Sequence, residues 1–196
     1  MEGIGWFVNG DAKISTAISQ LLHDSDRAVG VLAATVVELQ LTSAIKYRLA
    51  KHDEITNELF RDGGAVGSFS SKIDLGHLLN LFSPEAYHDL VIMKRIRNDF
   101  AHKPDMLSFA TDSIKKRCFN LKLVDKLVGD ITPEELQEVL ENHNKLATQK
   151  GPPNRFVGAS EALRDARQRY IMTAQLLSYS LGAMLDNPHS PLEFVI

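Results

Sequence analysis

The stretch KRIRNDFAHKP, residues 94–104, holds the side chains of this chain best placed to do chemistry. Arg97 carries a planar guanidinium, which grips phosphate or carboxylate oxygens in pairs. Asn98 follows it, and His102 lies five positions on with an imidazole that titrates near neutrality. Arg97, Asp89 and Lys72 form the candidate ligand-binding set.

One helix must position most of these residues. Ser83 can cap it, Pro84 suits its first position, and Pro104 pushes Lys103 out of the α region, so the helix spans about Pro84 to His102. At about 100° per residue, Ala86, Leu90, Met93, Ile96, Phe100 and Ala101 share an arc of roughly 140°. Arg97 falls near the middle of that arc, and Asp89 lies on it two turns earlier. A guanidinium on an apolar stripe keeps its proton, so it needs a partner. One reading is an ion pair with Asp26, Glu38 or Asp74 on a neighbouring helix. The other is an anion site with a phosphate or carboxylate ligand. On a regular helix His102 sits roughly 140° round from Arg97. The two meet only if the helix breaks before Pro104 or a second subunit supplies the other half. By itself, a histidine at a helix C-terminus serves as a cap that complements the dipole.

The rest of the chain reads as helices too. Ile14, Ala17, Ile18, Leu21 and Leu22 form one helical stripe. DRAVGVLAATVVELQLTSAIKYRLA, capped by Ser25 or Asp26, is apolar nearly all round in its first half and fits the centre of a bundle. A short helix near Glu54–Phe60 precedes the glycine-rich loop RDGGAVGS. SKID at Ser71–Asp74 fits a capping box, as does TPEE at Thr132–Glu135. A shorter helix covers Ser113–Leu121, a polar one runs to about Ala147, and TQKGPPN is the best linker. Phe156, Leu163, Tyr170, Ala174, Leu177 and Leu181 then recur at helical spacing. The expectation is an all-α single domain over residues 1–196, a bundle of six to eight helices with its core in 11–147 and a long C-terminal helix at 154–186.

Composition narrows the function. The chain has 196 residues, 44% hydrophobic and 24% charged, with a net charge of −3 and a pI near 6.2. That average lacks the basic footprint of a dedicated DNA binder. Cys118 is the single cysteine, so an intrachain disulfide is excluded, and it reads as a small core residue. No signal peptide pattern and no uninterrupted membrane-length apolar run is visible, so a soluble cytoplasmic protein without a membrane partner is expected. His52, His77, His88 and His143 lack metal-ligand spacing, and neither metal nor cofactor is expected. RDARQRY at 164–170 reads as a solvated face that could touch nucleic acid.

Three blocks, DRAVGVLAATVVELQL, GSFSSKIDLGHLLNLFSPEAYHDLVIMKRIRNDFAH and NRFVGASEALRDARQRYI, resemble the mannitol operon repressor family over roughly residues 24–104 and, more loosely, the last 40. The resemblance implies a helical bacterial transcriptional regulator without a helix-turn-helix. Such a protein would act through a protein partner or an anionic ligand, with direct DNA binding weak or indirect. RNDFAH, with R-x-x-x-x-H spacing, also resembles the signature of HEPN domains. That likeness implies an all-α homodimer and, as the alternative function, a metal-independent ribonuclease of toxin or phage-defence type with RNA as substrate. There His102 would serve as base or acid, Arg97 would hold the phosphate, and Asn98 would orient a neighbour or the ribose. The regulator is the first expectation, and it makes the protein more a binder than an enzyme.

Overall fold

A computed structural model describes residues 25–129 and 164–186. The expected stripe at 14–22, the helix and capping box after 132, His143, the TQKGPPN linker and the first turns of the C-terminal helix lie outside the described residues. Seven α-helices form the described part, in the order α1 (Asp26–Arg48), α2 (Asp53–Phe60), α3 (Phe69–Leu78), α4 (Pro84–His102), α5 (Asp112–Phe119), α6 (Leu123–Gly129) and α7 (Ala166–Asp186). Among the described residues there is no strand, so the fold is an all-α bundle.

Local chemistry sets the helix starts. Ser25 caps α1 by accepting from the Ala28 amide, and Ser83 caps α4 by accepting from the Ala86 amide, with Pro84 at the first position. These hydroxyls satisfy amides that have no partner inside the helix. α3 departs from expectation. It is capped by Ser68, which accepts from the Ser71 amide, and it starts at Phe69 rather than after Ser71. Ser71 hydrogen-bonds back to Ser68, and Asp74 accepts from the Tyr87 hydroxyl at 3.1 Å instead of closing a box. Starting one turn earlier lets Phe69 and Ile73 both enter the core. α5 likewise begins one residue before Ser113, following Thr111.

The core is built where α1, α4 and α7 meet. Val37, Leu41 and Ile45 of α1, Leu90, Met93 and Ile96 of α4, and Tyr170, Ala174 and Leu177 of α7 are all buried there. Each large apolar side chain so buried contributes about 1.5–3 kcal/mol. Gly30 permits the closest approach: a Cβ there would stand 2.1 Å from the Phe100 ring. Phe100 packs on Phe109, which packs on Tyr170, at centroid distances of 5.1 and 5.3 Å. The Tyr170 hydroxyl donates to the Gly30 carbonyl at 2.8 Å and closes the ring of contacts.

α7 differs from expectation in its surroundings. Every residue from Arg169 to Ser178 is buried, including Thr173, Gln175 and Ser178, so α7 shares the centre of the bundle with α1. RDARQRY is not a solvated face: Arg169 and Tyr170 are buried, and Arg167 pairs with Asp26 at 3.2 Å. α1 is long and apolar enough, by length and composition, to cross a membrane, and more than half of its apolar window is buried in the bundle. Its Glu38 is held by Lys72 at 2.7 Å. Cys118 is buried, and burial pushes its thiol up to about 12.

Candidate functional site

α4 supplies the candidate residues except Lys72, which lies on α3, and it runs unbroken through His102 to a cap at Lys103. Arg97 and His102 therefore stay on different sides of it. Arg97 is half-buried, whereas Asn98 and His102 are exposed. Ala101, expected on the apolar arc, is exposed as well, because the core ends at Phe100.

Arg97 has a strained inventory of partners. Its Nη1 donates to the Asn98 side-chain oxygen at 3.1 Å. Its Nε is buried without a hydrogen-bond partner. Burial holds the Tyr170 hydroxyl well above its usual pKa, and the nearby Arg97 charge pulls the other way. None of the three expected acids pairs with Arg97. Asp26 accepts from the Phe109 amide at 2.8 Å and pairs with Arg167. Glu38 takes Lys72, and Asp74 takes Tyr87. Among the described residues Arg97 has no ion pair.

The structure does not gather Asp89 and Lys72 around it. The Asp89 carboxylate is fully buried and accepts 2.9 Å bonds from the Lys122 and Leu123 amides. His88 Nδ1 lies 3.0 Å away on its other side. Asp89 thus serves as a remote cap for α6, satisfying amides that the short helix leaves open. Burial pushes its carboxyl up, against the pull of those hydrogen bonds. Lys72 is likewise engaged, by Glu38.

Two positioning residues escape a reading of the sequence. Arg27, in the first turn of α1, donates to the carbonyls of Phe100, Lys103 and Asp105 at 2.6, 2.9 and 2.8 Å. A guanidinium there satisfies the open carbonyls and complements the negative end of the α4 dipole. With that task filled, His102 is not needed as a cap, and it makes no hydrogen bond among the described residues. Asp99 is the second. It pairs with both Lys103, at 3.0 Å, and Arg117 of α5, fixing the last turns of α4. The signals for both lie in partners 73 and 18 residues away, beyond any helical period.

The arrangement can bind an oxyanion at the Arg97 tip beside the Asn98 amide, and it presents an imidazole one turn further along. Among the described residues no group of three or more His, Cys, Asp or Glu side chains could hold a metal ion. No family model matches this chain, and comparison with curated proteins and with solved structures finds none similar to it.

Proposed function

We propose that this protein is a regulatory binding protein of the bacterial cytoplasm, of the mannitol operon repressor type. It acts through an anionic ligand or a protein partner rather than by inserting a helix into a DNA groove. One observation carries the reading: the Arg97 charge has no carboxylate to answer it, because Asp26, Glu38 and Asp74 are each engaged elsewhere. A guanidinium held half-buried without an acid is poised for an external oxyanion. The acidic average charge supports indirect rather than direct DNA contact.

A second reading is favoured by one further observation. Asn98 and His102 stand exposed at i and i+4 on one face, with His102 released from capping by Arg27. With Arg97 to hold the phosphate, that is the set a metal-independent ribonuclease would use. Because α4 continues through His102, this function requires a homodimer in which each copy supplies part of the site.

One experiment separates the two. Purified protein is incubated with diverse RNAs in chelator, beside Arg97→Ala and His102→Ala. The regulator reading expects intact RNA throughout and binding of operator DNA that is weak without a partner. Cleavage abolished by His102→Ala with the fold preserved would establish the ribonuclease, and tight sequence-specific DNA binding by the protein alone would overturn the indirect regulator.

A further inference from the structure

A second site lies on the other side of α4. A cleft of about 470 Å³ is lined by Tyr87, His88, Val91, Ile92 and Arg95 of α4, and by Arg117 and Asn120 at the end of α5. That volume suits a small organic ligand. The α4 residues stand at i, i+1, i+4, i+5 and i+8, which places them on one side of the helix. Arg95 stands about 160° round from Arg97, so this cleft does not share the Arg97 site or rest on the function proposed for it.

The two ends of the cleft differ in chemistry. At one end Arg95 is exposed and makes no ion pair or hydrogen bond among the described residues. Arg117 shares Asp99 with Lys103. Of the two guanidinium groups that line the cleft, Arg117 thus has half a share in one carboxylate and Arg95 has none. At the other end, about 12 Å along the helix, stands the Tyr87 ring. Its hydroxyl is tied to Asp74 and its ring lies 4.6 Å from that of His77, so it is held in place. Between the ends lie Val91, the little-exposed Ile92 and the His88 imidazole, whose Nδ1 is engaged by Asp89.

We propose that this cleft binds a small amphipathic oxyanion. Its phosphate, sulfonate or carboxylate head is taken by Arg95 and Arg117, with the Asn120 amide alongside. Its aromatic body lies over Val91 and Ile92 against Tyr87. Neither half of such a ligand satisfies the site alone: an inorganic anion leaves the floor wet, and a neutral ring leaves the guanidinium groups unanswered.

The test is titration calorimetry of the full chain with 1-naphthyl phosphate, beside inorganic phosphate and 1-naphthol as the separate halves. The whole ligand is expected to bind at least about tenfold more tightly than either half. Arg95→Glu, a change at an exposed position whose fold is checked by circular dichroism, is expected to weaken it by about tenfold or more. Absence of saturable binding, equal binding of a half ligand, or an affinity unmoved by Arg95→Glu would each overturn the proposal.

Discussion

Arg169 and Arg97 are two arginines set into the same bundle, and they are treated differently. Each has a buried Nε without a hydrogen-bond partner. The difference is in what meets the charge. Arg169, 3% exposed, donates to the Leu121 carbonyl and the Asp125 carboxylate and lies over the Phe119 ring. With Asp89 it stitches α4, α6 and α7 into one corner in which each charge meets an opposite charge or backbone hydrogen bonds. Arg97 meets only an amide oxygen. Arg169, buried with its acid, is architecture; Arg97, half-buried without one, is where the proposed ligand would bind.

The contrast can be broken by mutation. Asp89→Ala removes the acceptor for the Lys122 and Leu123 amides and leaves them without a partner, at about 1–3 kcal/mol each. A loss of about 3 kcal/mol or more is expected in urea melts, the largest effect of the set. Arg169→Met strands the buried Leu121 carbonyl, while Asp125, mostly exposed, rehydrates. About 2 kcal/mol is expected from the same melts. Arg97→Met strands no acid, so its stability should move by less than about 1 kcal/mol while oxyanion binding at that tip is lost. If Arg97→Met proved as costly as Arg169→Met, the two arginines would be alike and the ligand reading would fall.

The smallest effect concerns Asp99. Burial raises its carboxyl, but the hydrogen bonds and charges of Arg117 and Lys103 outweigh that and leave it below its ordinary 3.8. A lowered acid contributes stability above its unfolded pKa and loses it as pH falls through the folded value. Melts between pH 7 and pH 3 should therefore show an acid limb of under about 1 kcal/mol, since its partners are a third to a half exposed. Asp99→Asn should remove it, and an undiminished limb in that variant would assign the acid sensitivity to another group.

The sequence made the bundle legible because helical periodicity reports burial directly. Ser83 with Pro84, and Pro104 beyond His102, bracketed α4 to the residue. Ser68 and Ser71 show where local pattern is degenerate: both can open a helix, and only the burial of Phe69 chooses between them. The candidate site was legible only in part. The wheel placed Arg97 on the apolar side, yet it could not say that Asp26, Glu38 and Asp74 would be occupied. Nor could it find Arg27 on the α4 carbonyls, or Asp89 on amides 33 and 34 positions later. Periodicity tells which way a side chain faces; it carries no address for what it will meet.

The hydrogen bond from Tyr170 to Gly30 joins positions 140 residues apart, and that separation bears on how the protein is made. Domains gather their contacts as the chain leaves the ribosome, N-terminal parts first. Here the seat of Phe100, on which the end of α4 rests, stays open until residue 170 has been synthesised. Until then α1 and α4 can pack on each other and on α3, but the faces that α7 covers stay open, and closing so long a loop comes late. The order of synthesis therefore makes α7 the last element needed to complete the core of the described residues.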